Sequence, residues 1–260
     1  MSAIGIIPAR MASSRFPGKP LAAIHGIPMV GHVYFRSRLS GALEAVYIAT
    51  CDDEIRRYAE SIGAPCIMTA HTHERASDRA AEAMLKIEKQ TGRKADIVVM
   101  IQGDEPMITP QMMDIAIAPL RSEAALQVVN LMARISSVDE FEDPNEVKVV
   151  VDRSDNALYF SREPIPSRKK GAAQVPMLKQ VCIIPFRRDY LLEFNASPQT
   201  PLEIIESVDM MRVLEHGGTV RMVMTDARTL SVDTPADLER VIQAMHGDPL
   251  LIQYGGAPAR

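Results

Sequence analysis

A loop rich in cations follows the first predicted strand. Ile4 to Pro8 is typical of a short buried strand, and the next turn runs through Ala9 into Arg10 to Lys19, which contains three cations, two hydroxyls and a glycine. Such a loop can bind a triphosphate, because backbone N–H groups and Lys or Arg side chains stabilise its negative charge and that of a pyrophosphate leaving group. Neither GxxxxGK[ST] nor GxGxxG is present, so a surface loop with scattered charges remains the alternative.

A second polar segment comes directly after a buried strand. The apolar run Asp96 to Ile101 stops at Gln102-Gly103-Asp104-Glu105-Pro106. Open α/β sheets bind ligands outside the carboxyl ends of their strands, so this segment marks a candidate ligand-binding edge. Taken alone, an Asp in such a turn is more often a cap than a catalytic group.

Short β-branched runs alternate with longer amphipathic segments along most of the chain. This alternation predicts an α/β fold, a mixed and mostly parallel sheet flanked by helices. The predicted strands are 4–8, 45–50, 96–101, 127–133 and 220–225, and the predicted helices are 28–40, 52–62, 75–90, 110–121, 201–215 and 235–245.

The middle of the chain departs from this alternation. Val147 to Val151 and Ala157 to Phe160 are close enough to form an antiparallel hairpin. The prolines and the Arg168-Lys169-Lys170-Gly171 tract between about 162 and 200 predict a loop and a small excursion from the main sheet. We expect one domain over residues 1–246, and an irregular tail over the Gly- and Pro-containing residues 247–260.

Composition excludes several classes of partner. The 260 residues carry a net charge of −4, whereas a nucleic-acid-binding surface needs clustered excess Lys and Arg. Neither a signal peptide nor an apolar run near the roughly 20 residues that span a bilayer is present, so we expect a cytoplasmic protein with no membrane partner. Cys51, Cys66 and Cys182 are isolated in sequence, which argues against disulfides or a CxxC metal site.

Longer motifs carry a family resemblance. The stretch IIPARMASSRFPGKPL resembles the nucleotide-binding signature of the CMP-Kdo synthetases, the 3-deoxy-manno-octulosonate cytidylyltransferases. Residues 102–106 resemble the family's QGDEP motif, and residues 143–150 and 157–162 its middle block. Residues 201–214 resemble its PLE…RVL helix, and residues 231–239 its VDTPEDLE ending. The motifs occur in family order from about residue 4 to residue 243.

The resemblance implies a glycosyltransferase-A-like, Rossmann-like nucleotidyltransferase fold, with a small acceptor and dimerisation subdomain at about 153–210 and a homodimeric assembly. It implies a CTP-dependent enzyme that transfers CMP to a sugar acid, Kdo or a related 2-keto-3-deoxy acid, and releases pyrophosphate. Asp104 and Asp233 would hold Mg²⁺, which prefers a few carboxylates together with substrate phosphate oxygens. Arg10 and Lys19 would complete the catalytic set.

The same resemblance assigns the two substrates to residues. The expected nucleotide-binding set is Pro8, Ala9, Arg10, Ser13, Ser14, Arg15, Lys19, Ser77, Arg79, Gln102 and Asp104. The expected acceptor-binding set is Gln102, Glu105, Arg162, Gln180, Ile184 and Glu206. His25 and His32 are near the loop but are interpreted as structural or surface residues, because nothing else in the sequence positions them as general bases.

Two motifs depart from the family. An SGTDR-like element is Arg75-Ala76-Ser77-Asp78-Arg79 here, and its bulkier first residues can change the approach to the base or ribose. Where the family reads RHIGIYAYR, this chain has residues 179–187, with Gln180 and Ile184 in place of the His and the first Tyr. Losing polar partners favours a less hydroxylated acceptor. The alternatives are therefore a smaller carboxylate or phosphonate acceptor, or a non-catalytic nucleotide-binding paralogue.

Overall fold

The computed structural model describes residues 1–12, 15–171 and 174–255. Its strands are β1 (Ala3–Pro8), β2 (Ala23–Ile24), β3 (Ile27–Pro28), β4 (Ala45–Thr50), β5 (Cys66–Met68), β6 (Ile97–Ile101), β7 (Val129–Arg134), β8 (Lys148–Val151), β9 (Ala157–Ser161), β10 (Leu178–Val181), β11 (Ile183–Arg187) and β12 (Arg221–Thr225). Its helices are α1 (Met29–Arg38), α2 (Asp53–Ser61), α3 (Ala76–Thr91), α4 (Pro110–Ser122), α5 (Val138–Glu142), α6 (Arg188–Ala196), α7 (Pro201–Glu206), α8 (Met210–Glu215), α9 (Pro235–Ala244) and α10 (Pro249–Gly255).

The first sheet has the order β11-β6-β1-β4-β5. Strands β1, β4, β5 and β6 are parallel, and β11 joins β6 antiparallel. Every residue of β6 is buried, which is expected for a strand covered by helices on both faces. The carboxyl ends of β1 and β6 lie side by side, and this edge carries both polar segments that the sequence singled out.

A second sheet has the order β12-β7-β10-β8-β9 and is mostly antiparallel. Strand β12 is parallel to β7, and β8 and β9 form the expected hairpin. A single residue, Cys182, separates β10 from β11, so the chain passes directly from the second sheet into the first. The predicted class of a mixed sheet flanked by helices is confirmed, although the separate second sheet was not anticipated.

The helices begin and end at residues suited to those positions. Thr109 and Thr234 cap α4 and α9, each with proline at the first helical position. Helix α3 ends at Gly92, whose φ of 70° lies in the left-handed region that favours glycine. None of the helices in the described ranges is long and apolar enough to cross a bilayer.

Two expectations about the C-terminal half are wrong. The expected loop and excursion from the main sheet over 162–200 instead contain β10, β11 and α6, and β11 is an edge strand of the first sheet. Pro185 argued against a strand at β11. A proline is tolerated in an edge strand, however, because its missing N–H can lie on the side that has no neighbouring strand. The tail is not irregular either, since residues 249–255 form α10; residues 256–260 lie outside the described ranges.

Tertiary contacts explain the C-terminal helix. The hydroxyl of Tyr254 accepts a hydrogen bond from Nε of Arg36 and donates to Nδ1 of His32, both at 2.8 Å, and Arg36 pairs with Asp248. The Tyr254 ring stacks on Phe35. Short helices depend on such packing more than on local propensity. The Gly- and Pro-rich composition of the tail therefore favoured an irregular structure although the packed segment is helical.

Candidate active site

The cation-rich loop is anchored at both ends. Its start is fixed because the N–H of Met11 donates to Oδ2 of Asp52 at 2.7 Å, and its end because Gly18 N–H donates to the Met11 carbonyl at 3.1 Å. Gly18 has a φ of 76°, a conformation that favours glycine, and it turns the chain into the short 3₁₀ helix Lys19–Leu21. The predicted residues Ser13 and Ser14 lie outside the described ranges.

Lys19 joins the loop to the two predicted metal-binding acids. Its Nζ donates to Oδ2 of Asp104 at 2.7 Å and to the Val232 carbonyl at 2.8 Å, and it lies 3.6 Å from Oδ1 of Asp233. Arg15 pairs with the same oxygen of Asp233 at 2.8 Å. The structure therefore brings together the two acids and two of the three cations of the loop.

The backbone holds these acids close together. The Val232 N–H donates to the Asp104 carbonyl at 3.0 Å, which ties the segment before α9 to the end of β6. At Gly103 a Cβ atom would lie 3.2 Å from the Pro8 carbonyl, so the absence of a side chain lets the ends of β1 and β6 approach. The glycine of this motif thus serves packing at the site.

The carboxylate arrangement fits a divalent cation. Oδ1 of Asp104 is buried without a hydrogen-bond partner in the described part of the chain, although its other oxygen is paired. An orphaned buried oxygen is costly unless a ligand satisfies it. Within the described ranges no group of three or more His, Cys, Asp and Glu side chains could hold a metal by itself. Two carboxylates that share an ion with substrate phosphates are consistent with both observations.

A cavity of about 340 Å³ lies over these residues. Its lining includes most of the predicted nucleotide-binding set, namely Pro8, Ala9, Arg10, Arg15, Lys19, Arg79, Gln102 and Asp104. Asp233, predicted as a metal ligand, lines it as well. Ser77 does not line it, because its hydroxyl donates to Asp209 from a fully buried position. His73 and Glu74 also line the cavity, and no signal in the sequence singled them out.

A second cavity, of about 280 Å³, adjoins the first. Five of the six predicted acceptor-binding residues line it: Gln102, Glu105, Arg162, Gln180 and Ile184. The sixth, Glu206, supports this wall instead, since its carboxylate accepts hydrogen bonds from Tyr159, Ser161 and the Arg162 backbone. Both cavities share Arg15, Arg75, Gln102, Asp104 and Asp233, so ligands in the two would meet at the acids.

The departure from the SGTDR motif is accommodated by a buried ion-pair network. Arg75 lies between the cavities and pairs with Asp209 and with Glu203, at 3.1 Å from the latter. Glu203 is fully buried and also accepts two hydrogen bonds from Arg212, at 2.7 and 2.6 Å. The Arg75 side chain is therefore directed towards α7 and α8, where it stabilises the carboxylates of Glu203 and Asp209.

Burial sets the ionisation of the remaining candidates. Burial, with the Asp104 carboxylate adding to it, raises the pKa of Glu105 to about 8. Burial, with Glu105 and Asp104 adding to it, raises the pKa of the Cys182 thiol well above its usual value, so this cysteine lacks the thiolate of a nucleophile. His25 and His32 line neither cavity, and burial lowers the pKa of His32 to about 4. The structural interpretation of both histidines fits their positions.

Comparison with known proteins decides the family. The sequence pattern of a family described as Cytidylyltransferase matches residues 4–226. A 3-deoxy-manno-octulosonate cytidylyltransferase of Geobacter metallireducens is 44% identical over 255 residues, covering 94% of this chain and 98% of the relative. The chain belongs to the 3-deoxy-manno-octulosonate cytidylyltransferase family. A relative of the same name from Pelobacter propionicus is 42% identical over 248 residues, covering 92% of this chain and 95% of its own.

Solved structures agree with this assignment. A CMP:2-keto-3-deoxy-manno-octonic acid synthetase complexed with CTP has a TM-score of 0.86 and 39% identity, covering 95% of this chain and 100% of its own. The 4-diphosphocytidyl-2C-methyl-D-erythritol synthase of Anaerococcus prevotii has a TM-score of 0.61 at 11% identity, covering 94% of this chain and 99% of its own, which indicates a shared fold only. The family resemblance stated from the motifs is confirmed, as is the nucleotidyltransferase class of enzyme.

Proposed function

We propose that this cytidylyltransferase transfers CMP from CTP to 3-deoxy-manno-octulosonate, with Mg²⁺ as cofactor and pyrophosphate as the second product. The observation that carries the proposal is the convergence of Lys19, Asp104 and Asp233 between two adjoining cavities. One cavity has the cations that a triphosphate needs, and the other is lined by five of the six predicted acceptor residues.

The donor half of the site is suited to a nucleoside triphosphate. Arg10 is exposed on the cavity wall, and Arg15 and Lys19 add two further cations. Cations and backbone N–H groups that face developing phosphate charge are the usual means of catalysis in phosphoryl and nucleotidyl transfer. The complex of the related synthetase with CTP supports this choice of nucleotide.

Asp104 and Asp233 would hold the metal ion. When bound, Mg²⁺ would neutralise phosphate charge and lower the pKa of the attacking hydroxyl. Lys19 pairs with both acids and Arg15 pairs with Asp233, and together the two cations balance the two carboxylates. We infer that Lys19 turns from the carboxylates to the phosphates when nucleotide binds, since its flexible side chain can reach either partner.

The reaction needs no covalent intermediate on the protein. An acceptor hydroxyl oxygen forms a bond to the α-phosphorus of CTP, the bond from that phosphorus to the β-phosphate bridging oxygen breaks, and the hydroxyl proton passes to solvent. Arg10, Arg15 and Lys19 stabilise the departing pyrophosphate. A fixed relative position of the two substrates contributes as well, because it replaces a bimolecular encounter.

The identity of the acceptor has less support from the residues of the site than the identity of the nucleotide has. Gln180 and Ile184 led to the expectation of a less hydroxylated acceptor, with a smaller carboxylate or a phosphonate as alternatives. Relatives that are 40–44% identical carry the name of the octulosonate enzyme, which supports the sugar acid. Arg162 and Arg15 place positive charge in the acceptor cavity, where an acid would bind.

A coupled pyrophosphate-release assay tests the proposal. Purified protein with CTP, Mg²⁺ and 3-deoxy-manno-octulosonate should turn over with a kcat/KM of about 10⁴ M⁻¹s⁻¹ or more. The product should have the mass of the CMP sugar acid. Asp104→Asn and Asp233→Asn should each lose at least about 100-fold in rate while keeping the fold, as judged by circular dichroism.

The same assay separates the alternatives. Turnover of a small phosphonate but not of the sugar acid would replace the proposed acceptor. Calorimetric binding of CTP without turnover of any acceptor would favour the non-catalytic paralogue. UTP and GTP serve as nucleotide controls, and each should release less than a tenth of the pyrophosphate that CTP does.

Three further expectations remain predictions. Homodimer formation is tested by light scattering of the purified protein, and cytoplasmic location by cell fractionation. The division into one domain over residues 1–246 with a subdomain at 153–210 is tested by limited proteolysis, which should cut first at the boundaries of that subdomain.

A further inference from the structure

The acceptor cavity contains an amide whose orientation is fixed from behind. Gln180 on β10 is half-buried and lines the cavity, and its Nε2 donates to Oδ1 of Asn130 on the neighbouring strand β7 at 2.6 Å. Asn130 is fully buried. The sequence alone does not single out Asn130, because nothing in its local pattern distinguishes it from the other residues of β7.

Asn130 can take only one amide orientation. Its Nδ2 donates to the carbonyls of Leu131 at 3.0 Å and Val181 at 2.7 Å, which uses both N–H groups. The reversed amide would place its oxygen against these two carbonyl oxygens, which repel it, and would leave that fully buried oxygen without a donor. Oδ1 of Asn130 must therefore be the atom that faces Gln180.

This orientation determines that of Gln180. A reversed Gln180 amide would place its oxygen 2.6 Å from the Asn130 oxygen, with no proton between them. Nε2 is therefore held towards Asn130, and Oε1 is the free end of the amide. Oε1 has no hydrogen-bond partner in the described ranges, and it is not one of the buried unpaired atoms, so it is open to a ligand.

We propose that Gln180 recognises a hydroxyl group of the acceptor through its carbonyl oxygen, and that Asn130 is the positioning residue that fixes this polarity. The proposal rests on the sugar-acid function above and makes it more specific. A carbonyl oxygen accepts a hydrogen bond from a hydroxyl but repels a carboxylate. The acceptor's acid group must then bind elsewhere in the cavity, where Arg15 and Arg162 supply positive charge. The inference favours a hydroxylated sugar acid over a small phosphonate.

A cycle of enzyme and substrate changes tests the contact. The substrates are 3-deoxy-manno-octulosonate and analogues that each lack one hydroxyl; the variants are Gln180→Met and, as a control, Gln127→Met at an exposed position. For wild type, one analogue should have a KM about tenfold higher than the parent acid, as expected for one neutral hydrogen bond. For Gln180→Met that difference should fall to less than twofold, while the KM for CTP should stay within twofold of wild type.

The role of Asn130 needs a readout other than stability. Asn130→Ala should free the Gln180 amide, abolish the discrimination against the same analogue and leave the KM for CTP within twofold. The double variant Gln180→Met/Asn130→Ala should lose no more discrimination between the parent acid and this analogue than either single variant does. Melting temperatures measured alongside identify any variant that fails to fold. If Gln180→Met fails, Gln180→Glu takes its place: it keeps the size of the side chain but adds charge, and it should raise the acceptor KM above that of wild type, whereas an unchanged KM would refute the contact.

The outcomes distinguish this inference from the proposed function. If wild type does not turn over the sugar acid at all, the proposed function fails. If wild type turns over the acid but no deoxygenated analogue is coupled to Gln180, the function stands and the hydroxyl contact is refuted. If coupling to Gln180 is found and Asn130→Ala leaves it unchanged, the positioning role of Asn130 is refuted.

Discussion

Replacing Lys19 by Met separates the two roles proposed for this side chain, pairing with the acids and binding of the triphosphate. The substitution keeps most of the length of the side chain but removes the charge and both short hydrogen bonds, those to Asp104 and to the Val232 carbonyl. The side chain is only 13% exposed and that of Asp104 24%, so solvent compensates little of the loss.

The size of the effect on stability follows from these contacts. A hydrogen bond to a charged partner contributes about 1.5–3 kcal/mol, and the apolar contacts of the Met stem offset part of that loss. We expect the free energy of unfolding to fall by about 2 kcal/mol, which corresponds to a melting temperature lower by roughly 4–8 °C for a domain of this size. Lys170→Met, at an exposed loop position, should change neither quantity.

The effect on the rate should be larger than the effect on stability. Loss of one fixed donor to developing phosphate charge costs roughly 100- to 1,000-fold in kcat. The assays are pyrophosphate release at saturating CTP and sugar acid, together with thermal unfolding of the protein with and without CTP and Mg²⁺. A loss of less than tenfold in kcat with intact fold would refute the phosphate-binding role of Lys19. An unchanged melting temperature would refute its role in balancing the two acids.

Three other predictions follow from buried contacts. Burial lowers the pKa of His32 to about 4, from about 6.5 in the unfolded chain. The free energy of unfolding should therefore be constant above pH 6.5 and fall by roughly 3 kcal/mol towards pH 4, because the unfolded chain binds the proton first. Urea unfolding at several pH values measures this dependence, and His32→Gln should remove most of it. Arg212→Met should lower the free energy of unfolding in urea by about 3 kcal/mol, because it removes one of the two cations paired with buried Glu203. As a control, Arg240→Met, which removes an exposed guanidinium from its pair with Asp237, should cost less than about 1 kcal/mol. Thr234→Ala should cost about 1 kcal/mol through loss of the α9 cap, and it should raise the Mg²⁺ concentration for half-maximal rate, since the capping segment positions Asp233.

Local sequence patterns predicted most of the first sheet and its helices. Strand 45–50 was predicted with the bounds that the structure has, and helix 110–121 with an error of one residue at its end. Such predictions are accurate where the apolar periodicity is strong and the helix-capping residues are clear. The helix expected over 201–215 is divided into α7 and α8 at Ser207, whose φ of 52° is unusual for a residue other than glycine.

The site was predicted in part for the same reason. The loop cations and the two acids belong to motifs that can be read along the chain. Asn130, Arg75 and the wall formed by β10 and β11 owe their roles to contacts between distant residues, such as the Arg75–Asp209 pair. Pro185 and the Gly- and Pro-rich tail even favoured the wrong local structure, because tertiary packing outweighs propensity there.

The hydrogen bond between Val232 and Asp104 has a consequence for synthesis on the ribosome. The cation-rich loop, Asp104 and every other lining residue of the first cavity except Asp233 are encoded before residue 226, whereas Asp233 follows β12. A nascent chain that stops at Thr225 would hold the cations of the loop without the Asp233 carboxylate that pairs with them. Tight nucleotide binding should therefore arise only once Asp233 has left the ribosome, and ribosome-bound chains of increasing length should gain CTP affinity in one step at that point.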